Sequence, residues 1–164
     1  DVDVVEADVL TVDFGALAER LGGALRGIGH LPYNISSPIL FHLLPWADRV
    51  EDQHFMLQKE VVDRMAATPG HKAYGRLSVL CQWRCVCKRL FDVNRSAFTP
   101  PPKVTSSVVQ LVPRLVCEPA CDVHALERVT AAGFGPAFGF DASLTTAYGW
   151  SSLVSVLLND VGFS

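Results

Sequence analysis

Four groups of residues have types and spacings that can do chemistry. The first is His30-Leu31-Pro32-Tyr33-Asn34-Ile35-Ser36-Ser37-Pro38, which follows a short strand-like stretch and opens an apolar helical one. A proline-fixed loop bearing two rings at the carboxyl end of a strand lies where open α/β sheets hold ligands. An ordinary strand-to-helix turn with a packed tyrosine would use the same residues. The second is Asp8, which ends the alternating acidic and apolar run from Val2 to Val9. It would sit at the carboxyl end of a strand, as a ligand contact or as a helix cap. The third is a set of cations, Arg76, Arg84, Lys88, Arg89, Arg95 and Lys103, opposed over that span only by Asp92. They could form a phosphate-binding face or a solvated one. The fourth is the set of cysteines at 81, 85, 87, 117 and 121, with His124 near the last pair. Their odd number and tight local spacing argue against a disulfide framework, and no Cys-x2-Cys pair marks a zinc site. We therefore expect no metal.

The elements that must position these groups follow from periodicity. Residues 2–9 predict a strand, Phe14 to Leu21 a helix, Leu25 to Gly29 a strand, and Ile39 to Trp46 a helix opened by Ser36, Ser37 and Pro38. Next come a strand around His54 to Leu57, a helix from Lys59 to Ala67, a turn at Thr68-Pro69-Gly70 and a helix from Leu77 to Trp83; Cys81 and Cys85, four apart in an apolar stretch that reads as helix, are expected to share a face. Val86 to Val93 and Ser107 to Val112 predict strands around the proline-rich loop 98–104. Interleaved strands and helices predict an α/β fold.

A chain of 164 residues, 49% hydrophobic and 19% charged, is that of a globular domain, which excludes collagen-like, disordered and coiled-coil classes. No run approaches a membrane span, and the acidic start lacks the basic flank of a signal peptide, so the expected compartment is the cytoplasm. The net charge of -3 hides an uneven distribution. Residues 56–115 carry ten basic and three acidic groups, whereas residues 1–55 carry three and nine. From Val129 to Ser164 there is no Lys or Arg, and this tail reads as divergent text such as a shifted reading frame would produce. Gly27-Ile28-Gly29 and Gly133-Phe134-Gly135 do not complete a dinucleotide-binding pattern.

The run from His30 to Pro38 closely resembles the Asn-Leu-Pro-Tyr-Asn-Ile-Ser-Ser-Pro loop of the small-subunit ribosomal RNA adenine N6,N6-dimethyltransferases. Phe98-Thr99-Pro100-Pro101-Pro102-Lys103-Val104-Thr105-Ser106-Ser107-Val108 resembles that family's second active-site loop. Gln58 to Met65 and Tyr74 to Val79 are similar to intervening segments in the same order, and Ala7-Asp8-Val9-Leu10 is similar to a Gly-Asp-Ala-Leu turn. Together these cover about residues 1 to 132. Leu31 and the run Ser37-Pro38-Ile39-Leu40-Phe41-His42 favour this branch over the related large-subunit methylases of macrolide resistance.

The resemblance implies a Rossmann-like methyltransferase fold, here the carboxyl-terminal part of its sheet, with S-adenosylmethionine as methyl donor. Donor contacts would come from Asp8 and His30, and catalysis from His30, Leu31, Pro32, Tyr33 and Phe98. The chemistry is consistent with those residue types. The exocyclic nitrogen of adenine is a poor nucleophile because its lone pair is delocalised, and acceptors aimed at its hydrogens, including a loop carbonyl, localise that pair. Tyr33 would stack on the extruded base and Phe98 would cover its other side.

The expected organisation is a partial catalytic domain over 1–115, the start of a helical RNA-binding domain over 116–132 and a divergent tail over 133–164. The expected partner is small-subunit ribosomal RNA or the pre-ribosomal small subunit, bound as a monomer through Arg76, Arg84, Lys88, Arg89, Arg95 and Lys103. Three departures stand out: His30 replaces the family's Asn, no glycine-rich donor turn precedes Asp8, and the tail lacks basic residues. They leave a non-catalytic RNA-binding module or a decayed remnant as alternatives.

Overall fold

The computed structural model describes residues 2–134. The expected tail 133–164 therefore lies outside the described residues from 135 onward. Four strands, β1 (Leu25–His30), β2 (Val50–Gln58), β3 (Cys85–Val93) and β4 (Ser106–Pro113), form one sheet in the order β1-β2-β4-β3. β1 and β2 are parallel, while β4 runs antiparallel to both of its neighbours. Five α-helices accompany them: α1 (Phe14–Leu21), α2 (Ser36–Leu43), α3 (Lys59–Met65), α4 (Arg76–Arg84) and α5 (Val123–Gly133).

The parallel pair needs a crossover, and α2 with the 3₁₀ turn Leu44–Arg49 supplies it. Its apolar side chains Ile39, Leu40, Leu43 and Ala47 meet Phe55, Leu57, Val109 and Leu111 from the sheet and Val62, Met65 and Cys81 from α3 and α4. A second core joins Leu44, Val79 and Leu80 to Leu126, so α5 packs on α4. The period-2 alternation of strands puts Gly29, Phe55, Val109 and Arg89 on the helix-covered face. Ile28, His54, Gln110 and Lys88 form the facing row on the other side. There Ile28 is 88% exposed and Val86 and Val112 are also exposed.

Three expectations change. Residues 2–8 form no strand: no strand pairs with them among the described residues, and Val2, Val4 and Val5 are exposed. Asp8 consequently does not end a strand; it caps the 3₁₀ turn Val9–Thr11, accepting from the Leu10 N–H at 3.0 Å. The α2 helix starts at Ser36 and stops at Leu43, because Pro45 lacks the N–H that a continuing α-helix requires. Cys81 and Cys85 do not share a helix face, since α4 ends at Arg84 and Cys85 begins β3, although both thiols remain buried.

Candidate active site

The loop that follows β1 is built by short anchors. The buried Leu31 donates its N–H to the Met56 carbonyl at 3.3 Å, tying the loop's first residues to β2. The Pro32 carbonyl accepts from Ile35 N–H at 3.2 Å, and the Ser36 hydroxyl donates to the Tyr33 carbonyl at 3.3 Å as α2 begins. Tyr33 is half-buried, and its hydroxyl lies 2.6 Å from that of Ser106, a fully buried residue at the start of β4. No described residue donates a hydrogen bond to the Leu31 carbonyl, which leaves an acceptor in the loop.

Sheet order brings the second loop to the same place. His30 pairs with Met56 and Gln58 with Ser106, so the ends of β1 and β2 adjoin the start of β4 and the segment before it. In that segment the Asn94 side chain caps the 3₁₀ turn Arg95–Ala97, and Phe98 N–H closes it on the Arg95 carbonyl at 3.2 Å. The His30 and Tyr33 rings stand edge-on with centroids 5.9 Å apart, and His30 and Phe98 are 6.4 Å apart at 36°. Three rings from two distant segments thus converge, with His30 and Pro32 exposed and Phe98 and Tyr33 half-buried. This arrangement offers planar surfaces and a carbonyl acceptor to an extruded base.

The turn capped by Asp8 packs on α2, the helix that the ring-bearing loop opens. One oxygen of the exposed Asp8 carboxylate holds Leu10 N–H; the other has no partner among the described residues and can accept an amino group.

The six cations of the middle segment do not share one surface. Adjacent strand residues point to opposite faces, so Lys88 lies in the row of Gln110 and His54, while Arg89 reaches Asp63 of α3 at 3.0 Å and Asp92 at 3.4 Å. Arg84 is half-buried and committed to the Leu44 carbonyl, Asp48 and the Cys117 sulfur. Arg95 donates to the Lys103 carbonyl at 3.2 Å, which places both residues on the loop that carries Phe98. The Arg76 guanidinium lies over the Phe41 ring, 5.2 Å from its centroid.

Titration is perturbed at Asp63 and at Cys81, Cys85 and Cys121. Burial alone would raise the Asp63 carboxyl, but the hydrogen bonds and charges of Lys59 and Arg89 outweigh it and hold the group below its ordinary value. Burial pushes the Cys85 thiol up to about 12, helped by neighbouring Cys87. A hydrogen bond with Cys87, together with burial, raises Cys81. Burial also raises Cys121. Such thiols are not nucleophiles at neutral pH. Among the described residues no cluster of three His, Cys, Asp or Glu forms a metal-ligand set.

Ser106, the hydroxyl partner of Tyr33, was not singled out from sequence. Its only local signal is a Thr-Ser-Ser run at the head of a strand.

The comparisons with known proteins bear on this geometry. A family model described as ribosomal RNA adenine dimethylase matches residues 1–135. The protein named ribosomal RNA small subunit methyltransferase A from Methylibium petroleiphilum is 57% identical over 134 residues, covering 82% of this chain and 52% of its own length. Its namesake from Klebsiella pneumoniae is 52% identical over 132 residues, covering 80% of this chain and 48% of its own. The chain thus spans about half the length of the curated relatives it matches. Among solved structures, the 23S rRNA methyltransferase ErmE superposes with a TM-score of 0.59 at 27% identity, covering 94% of this chain and 61% of that one. A dimethyladenosine transferase from Plasmodium falciparum gives a TM-score of 0.52 at 38% identity over 54% of this chain and 33% of that one. The mixed sheet with its crossover helices is accordingly the Rossmann-like fold of the ribosomal RNA methyltransferases. With the family's match extending over both ring-bearing loops, the chain belongs to the ribosomal RNA adenine dimethylase family.

Proposed function

We propose that this chain forms the base-binding part of an enzyme that transfers two methyl groups from S-adenosylmethionine to N6 of adenine in small-subunit ribosomal RNA. The observation that supports this reading best is the convergence of His30, Tyr33 and Phe98 beside an unengaged loop carbonyl. An adenine extruded from the RNA is held between Tyr33 and Phe98, each stack contributing about 1 to 3 kcal/mol per base. The Leu31 carbonyl accepts one amino hydrogen, and a ring nitrogen of His30 accepts the other. Both contacts draw the lone pair of N6 out of conjugation.

When bound, the donor supplies a methyl group on a sulfonium sulfur. The residues in place fit the adenine end of that molecule, because Asp8 keeps one carboxylate oxygen open for an amino edge. What this chain contributes to transfer is alignment, for which proximity alone supplies roughly 7 to 11 kcal/mol of the barrier. The compartment in this reading is the cytoplasm, and the protein acts as a monomer on the small subunit or its precursor. Residues 1–115 serve as the catalytic part, with 116–132 beginning the RNA-binding part.

The test is incorporation of labelled methyl from S-adenosylmethionine into small subunits whose target adenines are unmethylated. Transfer by the chain that falls by roughly 5- to 150-fold in Tyr33→Ala carries the proposal. RNA binding without any transfer would replace it with the non-catalytic module.

A further inference from the structure

Between α3, the 66–75 connection and α4 lies an open cleft of about 1170 Å³. Among its lining residues are Lys59, Asp63, Lys72, Arg76 and Arg89. Its acidic groups are already occupied: Asp63 is shared by Lys59 at 2.5 Å and Arg89 at 3.0 Å, and Glu60 pairs with Arg64. Lys72 and Arg76 have no acidic partner among the described residues. The Nε of Arg76 is buried and makes no hydrogen bond, while the guanidinium plane is fixed over the Phe41 ring. A buried donor without an acceptor is uncommon, and the terminal guanidinium nitrogens, for which no described residue supplies an acceptor, are the donors that can grip a tetrahedral oxyanion with two parallel bonds.

The cleft adjoins the ring-bearing loops through two elements. Ser37, at the head of α2, lines it, and Lys59 N–H donates at 2.9 Å to the carbonyl of Thr105, the neighbour of Ser106.

We propose that this cleft is a phosphate site, with Arg76 and Lys72 as its ligands, that takes a backbone phosphate of the RNA strand flanking the target adenine. The identification of the strand as RNA rests on the function proposed above; the anion chemistry does not. Arg76 supplies the bidentate grip, Lys72 a mobile point charge at the rim, and the Lys59–Asp63–Arg89 bridge keeps the cleft wall fixed without repelling the anion.

The experiment measures binding of a structured RNA with an adenine in an unpaired loop, as a function of salt, for the wild-type chain, Lys72→Gln, Arg76→Gln and Arg76→Lys. Lys72 is exposed, so its variant keeps the test intact if loss of the Arg76 stack disturbs folding, which far-ultraviolet dichroism reports. Each removed contact is expected to lower the slope of log affinity against log salt by about one, and Arg76→Lys to retain the slope with weaker binding. A second arm titrates inorganic phosphate against thermal stability. Millimolar phosphate that stabilises the wild type but not Arg76→Gln, with RNA binding unaltered in every variant, would assign the cleft to a free phosphate and overturn the RNA assignment. Unchanged affinity and slope with no phosphate effect would remove the site altogether. Methyl transfer is measured separately, so failure of the catalytic reading and failure of this site give different results.

Discussion

The bond between the Tyr33 hydroxyl and Ser106 joins residues 73 positions apart and fixes the ring that is to meet the base. Tyr33→Phe keeps the ring but leaves the buried Ser106 hydroxyl alone, so we expect a stability loss of about 1 to 3 kcal/mol, read from urea midpoints, with transfer reduced by less than in Tyr33→Ala. Tyr33→Ala removes the stack itself; about 1 to 3 kcal/mol lost there corresponds to roughly 5- to 150-fold in RNA affinity or single-turnover rate. His30→Asn exchanges a bulky ring for a carboxamide whose oxygen is a better-placed acceptor, and it is expected to raise the methyl-transfer rate. Equal rates would show that residue 30 does not touch the reacting nitrogen. His30, Tyr33 and Phe98 were named from the sequence through the resemblance of their two loops to the family, and the fold brings their rings together. Ser106 was not, because a hydroxyl paired across the fold leaves no local trace.

Among the elements, α3 is tied to β3 by Asp63, which Lys59 and Arg89 hold from two sides. Because its folded value is depressed, the tie contributes stability that is fully present above the ordinary carboxyl value of 3.8 and is lost as pH falls below it through the depressed one. The carboxylate is 37% exposed, so solvent screening keeps the contribution within about 1 kcal/mol. Asp63→Asn should therefore lower the urea midpoint at pH 7, and its difference from the wild type should shrink progressively as pH falls below 3.8. Undiminished dependence in the variant would locate the acid sensitivity elsewhere. Periodicity predicted α1, β1, α3, α4, β3 and β4 within a few residues, since each has a clear apolar face or alternation. It failed for residues 2–8, where alternation has no neighbouring strand to use it, and at Pro45, where a missing N–H ends an otherwise apolar helix. The cations failed as one surface because Lys88 and Arg89, adjacent in sequence, lie on opposite faces of β3.

At the level of the whole molecule, the helices cover the Phe55–Val109 face of the sheet, while the row from Ile28 to Lys88 is left open among the described residues. Parallel strands ordinarily have both faces covered, and among the described residues β1 is a parallel edge strand whose Ile28 is 88% exposed. The uneven charge was legible in the sequence, but the open face was not, because β1 alternates in burial as any half-covered strand does. In purification this face governs colloidal behaviour. The chain should scatter light increasingly with concentration, bind an anilinonaphthalene dye while its far-ultraviolet dichroism stays native, and recover in detergent. Ile28→Lys places a charge where an incoming strand would have to pair, so it should suppress both scattering and dye fluorescence without changing the unfolding free energy by more than about 0.5 kcal/mol. An Ile28→Lys sample that clouds as readily as its parent would exonerate the edge. Otherwise, the side chain that marks where the sheet is bare also sets how concentrated the protein can be kept in a tube.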